Sequence, residues 1–364
     1  MVAAAAAAAG PSAGPVMTSG GMNPFWQASN LYAEKIATIT NTPGAATNNF
    51  FQNINPGNFL RGVRVLMRSA GGTGVPTADN PSIVYQSIDL ENVDGGEILY
   101  PMNGYSYLQS QRYFRPWLLD PTLSYDFSQS ANPSLSLFLE PELRLTAGVL
   151  SNTDARSLYK YNLTLNTAAN ITSGTAPNLT ITTYMDAWGQ PDPMDLEGVP
   201  NAPLPPGLAL QVKRRHQAGV TLQGGGTDNI FQLVNTGNAL RGILAIVRDN
   251  NSVRQDYLSD PIRWQQDNRN LGVFSPDLLF QWMNEQYQGY NLGQRPTGVY
   301  VWPRFFNPGE LTGQGWLYTN NATKLTFETF TSTAFTGGVT GTVEFITDEV
   351  YPVQATVPPD LLEI

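Results

Sequence analysis

A 25-residue stretch occurs twice in this chain, the second copy 180 residues after the first and without a gap. Gly44 to Arg68 reads GAATNNFFQNINPGNFLRGVRVLMR, and Gly224 to Arg248 reads GGGTDNIFQLVNTGNALRGILAIVR. Twelve positions are identical, among them Phe51/Phe231, Asn58/Asn238, Arg61/Arg241, Gly62/Gly242 and Arg68/Arg248. At residue frequencies of roughly 5 to 7%, chance supplies about two matches in such a window, so these are copies of one module. Solenoids and propellers repeat every 20 to 50 residues or so, whereas about 180 residues is the size of a self-sufficient domain. The chain reads as two similar domains in tandem, consistent with 364 residues against the roughly 250 to 300 at which single cores stop growing.

Gly189 to Leu208 carries six prolines and three glycines. Proline lacks the amide donor that a central strand or helix needs, so this segment is the connector. The expected division is an arm over 1–23, a first domain over 24–188, the connector over 189–208 and a second domain over 209–364. The arm is a low-complexity Ala, Gly and Pro tract. No basic residue precedes its short Ala run, so it reads as a flexible arm, ordered only against a neighbour, rather than a secretory leader.

Within each domain the pattern is β. Asn55-Pro56-Gly57-Asn58 and Asn235-Thr236-Gly237-Asn238 fit tight turns with glycine at a positive φ, and a strand follows each. Val63, Val65 and Met67 alternate with Arg64 and Leu66, whereas Ile243 to Val247 is apolar throughout. Replacement of the outward Arg64 by Leu244 predicts that the second copy of this strand is covered on both faces. Strands are also expected at Leu163–Leu165, Leu179–Tyr184, Leu325–Phe327 and Thr342–Ile346. These patterns imply two all-β barrels or sandwiches. Ser275-Pro276-Asp277 places an N-cap, a first-turn proline and an acidic residue ahead of one helix ending near Gly289. Its Leu278, Leu279, Trp282 and Met283 are expected to face the core.

Charged residues are 13% of the chain, about half the usual share, and the net charge is −9. That balance gives no electrostatic footprint for wrapping nucleic acid. With no cysteine and one histidine, thiolate chemistry and multi-histidine metal sites are excluded, and no cofactor is expected. Gly10-Pro11-Ser12-Ala13-Gly14 matches a nucleophile motif but lies in the arm without a strand or helix around it. Glu140 and Glu142, and the pair Asp348-Glu349, are the candidate glycosidase carboxylates, which would also need a concave cleft. The chain is expected not to be an enzyme. Lys213, Arg214 and Arg215, beside His216, form its one basic cluster, which reads as a solvated strand edge or as a patch that touches phosphate headgroups or an acidic partner.

Two β domains, a shared motif, an arm and a helix in the second domain together resemble the double jelly-roll major capsid proteins of tectiviruses and their wider lineage, including adenovirus hexon. Within about a third of the chain, Asp260-Pro261-Ile262-Arg263-Trp264, the helix and Pro296-Thr297-Gly298-Val299-Tyr300 follow that family's succession. The resemblance implies two tandem eight-stranded jelly-roll barrels with a short helix in the second. It implies a homotrimeric, pseudo-hexagonal capsomer of an icosahedral virus, made in the host cytoplasm and incorporated into the virion. Partners would be neighbouring capsomers, minor capsid proteins and an internal membrane, with Lys213, Arg214 and Arg215 as candidate inner-face or membrane contacts. The competing reading is a secreted two-domain glycan-binding protein or glycan hydrolase, with exposed aromatics as stacking platforms.

Overall fold

Each copy of the repeated segment forms two strands joined by a turn, and the strands around it are arranged alike in both halves. The computed structural model describes residues 21–118, 128–206, 208, 210–233, 238–290, 292–302, 315–319, 322–333, 335 and 339–352. The first half contains β1 (Leu31–Asn41), β2 (Asn48–Asn53), β3 (Phe59–Ala70), β4 (Tyr85–Asn92), β5 (Glu97–Met102), β6 (Leu135–Leu139), the two-residue β7 (Leu150–Ser151), β8 (Tyr159–Leu165) and β9 (Asn178–Trp188). The second half contains β10 (Leu210–Gln223), β11 (Asp228–Leu233), β12 (Ala239–Arg248), β13 (Leu258–Gln266) and β14 (Arg269–Phe274). It continues with β15 (Val299–Val301), the two-residue β16 (Leu317–Tyr318), β17 (Leu325–Thr331) and β18 (Thr340–Pro352). The helices are α1 (Phe25–Ala28), α2 (Gly104–Phe114), α3 (Ala168–Ile171) and α4 (Pro276–Tyr287).

The first half pairs its strands as β1-β9-β3-β6 and β5-β4-β8-β2. The second pairs β10-β18-β12-β15 and β11-β17-β13-β14, the same order with every strand number raised by nine. Two facing four-stranded sheets of this connectivity are a jelly roll, so the expected all-β pair of eight-stranded barrels is present. Alternation drives it. Val63, Val65 and Met67 point inward beside Ile181 and Met185, and Ile243, Ala245 and Val247 do so beside Val343 and Phe345. The second core is the more aromatic, with Trp264, Trp302, Phe327 and Phe345 meeting edge to face or tilted.

The duplication extends to an irregularity. The β3/β9 ladder shifts register between Leu60 and Gly62, and the β12/β18 ladder shifts between Leu240 and Gly242, leaving Arg61 and Arg241 as the bulged residues. In the first turn Asn58, at φ 54°, carries the left-handed backbone that asparagine tolerates. Residues 235–237 of the second turn lie outside the described residues, as do residues 1–20 of the arm with Ser12. Asn23, assigned to the arm, is bonded into the connector through Pro200, Asp195 and Asn201.

Two sequence expectations change. The chain has a second well-formed helix, α2, at the place in the first barrel that α4 holds in the second. Each follows the strand that ends its sheet, and each has a side-chain cap, Asn103 on Ser106 and Ser275 on Leu278. Helix α2 lacks a polar stripe because ten of its eleven residues are buried, so periodicity could not mark it. Leu278 on α4 is 36% exposed rather than in the core. The two barrels are also joined through backbone pairing. Strand β10 lies parallel to β5 at Arg214 and Leu99, which merges one sheet of each barrel into a single nine-stranded sheet.

Candidate functional site: a charged seam between the barrels

Strand β12 is buried on both faces, as the Leu244 substitution predicted, and the cover on its outer face comes from the first barrel. Phe114 of α2 packs against Gly242, where a β-carbon would lie 2.5 Å from the ring. The outward residues of the second barrel's sheet, Leu244, Ile246 and Ile346, are fully buried. This junction is charged as well as apolar. Arg115, at the C-cap of α2, donates to Asp348 of β18 at 2.8 Å, and Arg241 of the bulge donates to the same carboxylate at 2.8 Å. Arg214 lies 3.9 Å from it. Burial works to raise the Asp348 pKa, but the three guanidinium groups hold it below the usual carboxylate range.

A second cluster lies along the same seam. Glu344 of β18 accepts from Ser106 of α2 at 2.7 Å, from Arg248 at 3.2 Å and faces His216 Nε2 at 3.0 Å. Burial opposes its ionisation, and the His216 hydrogen bond and Arg248 outweigh that effect and depress its pKa. Asp79, from the loop after β3, bridges to Arg248 and Arg254 of the second barrel at 2.7 Å each, and the Tyr105 ring sits against both guanidinium groups. Two domains thus meet through desolvated ion pairs, whose geometry is specific because removal of one partner strands a buried charge.

Burial withdraws Arg214 of the basic run from a solvated strand edge and from an inner face, while Lys213 and Arg215 keep part of their solvent access. Arg214 is 1% exposed, between Asp348 and the Tyr107 ring, and cannot reach another surface. Arg215 pairs with Glu349 at 3.1 Å and stacks on Tyr100 of β5. His216 holds the Pro101 carbonyl oxygen of β5 at 3.1 Å through Nδ1. Lys213 is half-buried over the Tyr351 ring. The sequence could not show these partners because the carboxylates that neutralise the run lie on β18, more than 120 residues away.

The candidate carboxylates are structural in placement. Arg61 binds Glu140 at 3.0 Å and Glu142 at 2.5 Å, and both acids are at most 3% exposed. Burial raises Glu140 to about 8 despite Arg61. Thr146 N and Trp188 Nε1 donate to Glu142, so the pair is a tie inside the first barrel rather than two opposed groups in a cleft. Asp348 and Glu349 are consumed by the seam. Among the described residues, no group of three or more acidic or histidine side chains is placed to hold a metal ion, and no helix is long and apolar enough to cross a membrane.

No protein-family model matches the chain, and no curated protein matches it in sequence. Solved structures do match in fold. The major capsid protein of Sulfolobus Turreted Icosahedral Virus is similar with TM-score 0.63 and 13% identity, over 89% of this chain and 97% of that one. The major capsid protein P2 of bacteriophage PM2 is similar with TM-score 0.52 and 11% identity, over 90% and 99%. The Faustovirus major capsid protein is similar with TM-score 0.54 and 10% identity, over 92% of each chain. At such identities the likeness establishes the fold, the double jelly roll. It spans unrelated hosts and does not single out the tectivirus branch.

Proposed function

We propose that this chain is the major capsid protein of an icosahedral virus, a shell subunit that assembles and does not turn over substrate. The observation that carries the reading is the double jelly roll itself, shared over about nine-tenths of the chain with proteins that are each a major capsid protein. Duplication supplies the physical logic. Three copies with two near-equivalent barrels each present six near-equivalent units, an outline that tiles in hexagonal arrays. The partners are two further copies, neighbouring capsomers and minor capsid proteins, and the location is the virion after synthesis in the host cytoplasm.

The finer reading is a bacteriophage of tectivirus type with an internal membrane. The succession from Asp260 to Tyr300 supports it, as does the likeness to a phage protein. Of the basic run, Lys213 and Arg215 keep the solvent access that contact with an anionic surface requires, and the inner-face role narrows to them. The test is the solution mass by light scattering coupled to size exclusion, followed by electron microscopy. A concentration-independent mass of three times 39.7 kDa with hexagonal arrays is the expected result. A stable monomer that binds a glycan array would overturn the reading.

A further inference from the structure

Most polar side chains of helix α2 have partners. Ser106 donates to Glu344, Ser110 to the Tyr107 carbonyl oxygen, and Gln111 Oε1 accepts from Phe138 N. Gln109 differs: it is 3% exposed, and its Oε1 has no hydrogen-bond partner among the described residues. The same holds for the Tyr105 hydroxyl on the same helix face and for both amide atoms of Asn80, in the loop after β3, with these residues 6% and 7% exposed. Buried polar atoms are nearly always paired, so three such residues at one place are unusual. They line one cavity. Tyr105, Leu108 and Gln109 form one wall and Asn80 another, and Arg254 and Pro296 of the second barrel close it around about 390 Å³.

We infer that this cavity binds a small hydroxyl-rich ligand with the chemistry of a sugar residue. Its volume lies at the lower end of the roughly 300 to 1,000 Å³ of small-molecule pockets. The atoms without partners are of both kinds: Asn80 Nδ2 donates, Asn80 Oδ1 and Gln109 Oε1 accept, and the Tyr105 hydroxyl does either. Burial raises the Tyr105 pKa, which keeps that hydroxyl protonated and able to donate. A sugar hydroxyl also donates and accepts, so a ring with neighbouring hydroxyls answers both kinds. Inorganic phosphate brings mainly acceptors and would leave the two amide oxygens unmatched. A cation would face the guanidinium groups of Arg112 and Arg254 in the lining. A nucleobase needs an aromatic face to stack on, and the Tyr105 ring is already taken up by the guanidinium groups of Arg248 and Arg254. Leu108 and Pro296 offer aliphatic walls to the C–H face of a sugar instead.

The cavity lies within one chain, so this inference does not depend on the capsid reading. Saturation-transfer NMR on the full chain tests it, with D-glucose, D-galactose and N-acetyl-D-glucosamine as probes and the methyl glycoside of each alongside. At least one sugar should bind saturably, and neither inorganic phosphate nor adenosine should displace it. Equal binding of a sugar and its methyl glycoside would assign the cavity to the end of a glycan chain, and preference for the free sugar would assign it to a soluble monosaccharide. Tyr105→Phe and Gln109→Met each remove polar atoms while nearly keeping the side chain's shape. Each should leave the melting temperature of the free protein unchanged or raised, and each should weaken sugar binding about three- to tenfold. Binding that is unchanged in both variants, displacement by phosphate or adenosine, or a folded protein that takes none of the sugars would overturn the site. A trimer that binds no sugar would leave the capsid reading standing, whereas a monomer that binds one through Tyr105 and Gln109 would overturn the capsid reading and leave this site.

Discussion

Arg241 donates to Asp348 across a strand bulge, and Arg61 stands 3.7 Å from Asp186 across the matching bulge 180 residues earlier. The same ion pair has been retained in both barrels but put to different use. In the first it is shared with Glu140, Glu142 and Arg64; in the second it is joined by Arg115 from the other barrel.

That difference sets an order of stabilities. Asp348→Asn removes the carboxylate that Arg115, Arg241 and Arg214 share in a buried site and should destabilise by about 3 to 5 kcal/mol. Asp186→Asn should cost less, about 1 to 2 kcal/mol, because Arg61 keeps Glu140 and Glu142. Denaturant melts of the two variants check this, and equal losses would contradict the seam's dependence on Asp348.

Gly242 lets the Phe114 ring approach the second barrel. Gly242→Ala should destabilise by about 1 to 3 kcal/mol through overpacking, and the loss should shrink in a Phe114→Leu background. A double-mutant cycle with no coupling would mean that α2 does not bear on β12.

Glu140 gives a pH dependence of definite sign. Its carboxyl is raised to about 8 by burial, so the folded state keeps a proton that the unfolded chain releases near 4.5. The stability it contributes is fully present below that lower value and is lost as pH rises toward 8. Glu140→Gln should flatten the dependence of the melting temperature over this window. An unchanged slope would assign the effect to another group.

Phe51 and Phe231 are identical in the repeat yet face opposite ways, the first 75% exposed on β2 and the second 4% exposed on β11. Phe51→Ala should change stability by no more than about 0.5 kcal/mol, whereas Phe231→Ala should cost about 3 to 5 kcal/mol. Similar losses at both would place Phe51 in a contact that the single chain does not make, and the solution mass of Phe51→Ala would then identify it.

The sequence alone determined the duplication, the all-β class and the helix at Ser275, because each is written in local terms: identity at a fixed spacing, alternation and a cap. It also marked Leu244 as covered on its outer face. What covers that face was decided only in three dimensions, since Asp79, Ser106 and Arg115 act across 169 to 238 residues of chain and none has a local pattern. The basic run shows the same limit. Four adjacent positive or titratable residues look like a surface until β18 pairs with β10 and brings Glu344, Asp348 and Glu349 against them. Phe51 and Phe231 show the finest case. Side chains alternate along a strand, so the pairing of β2 with β8 and of β11 with β17 settles which phenylalanine enters a core, and no identity between the two copies could have settled it.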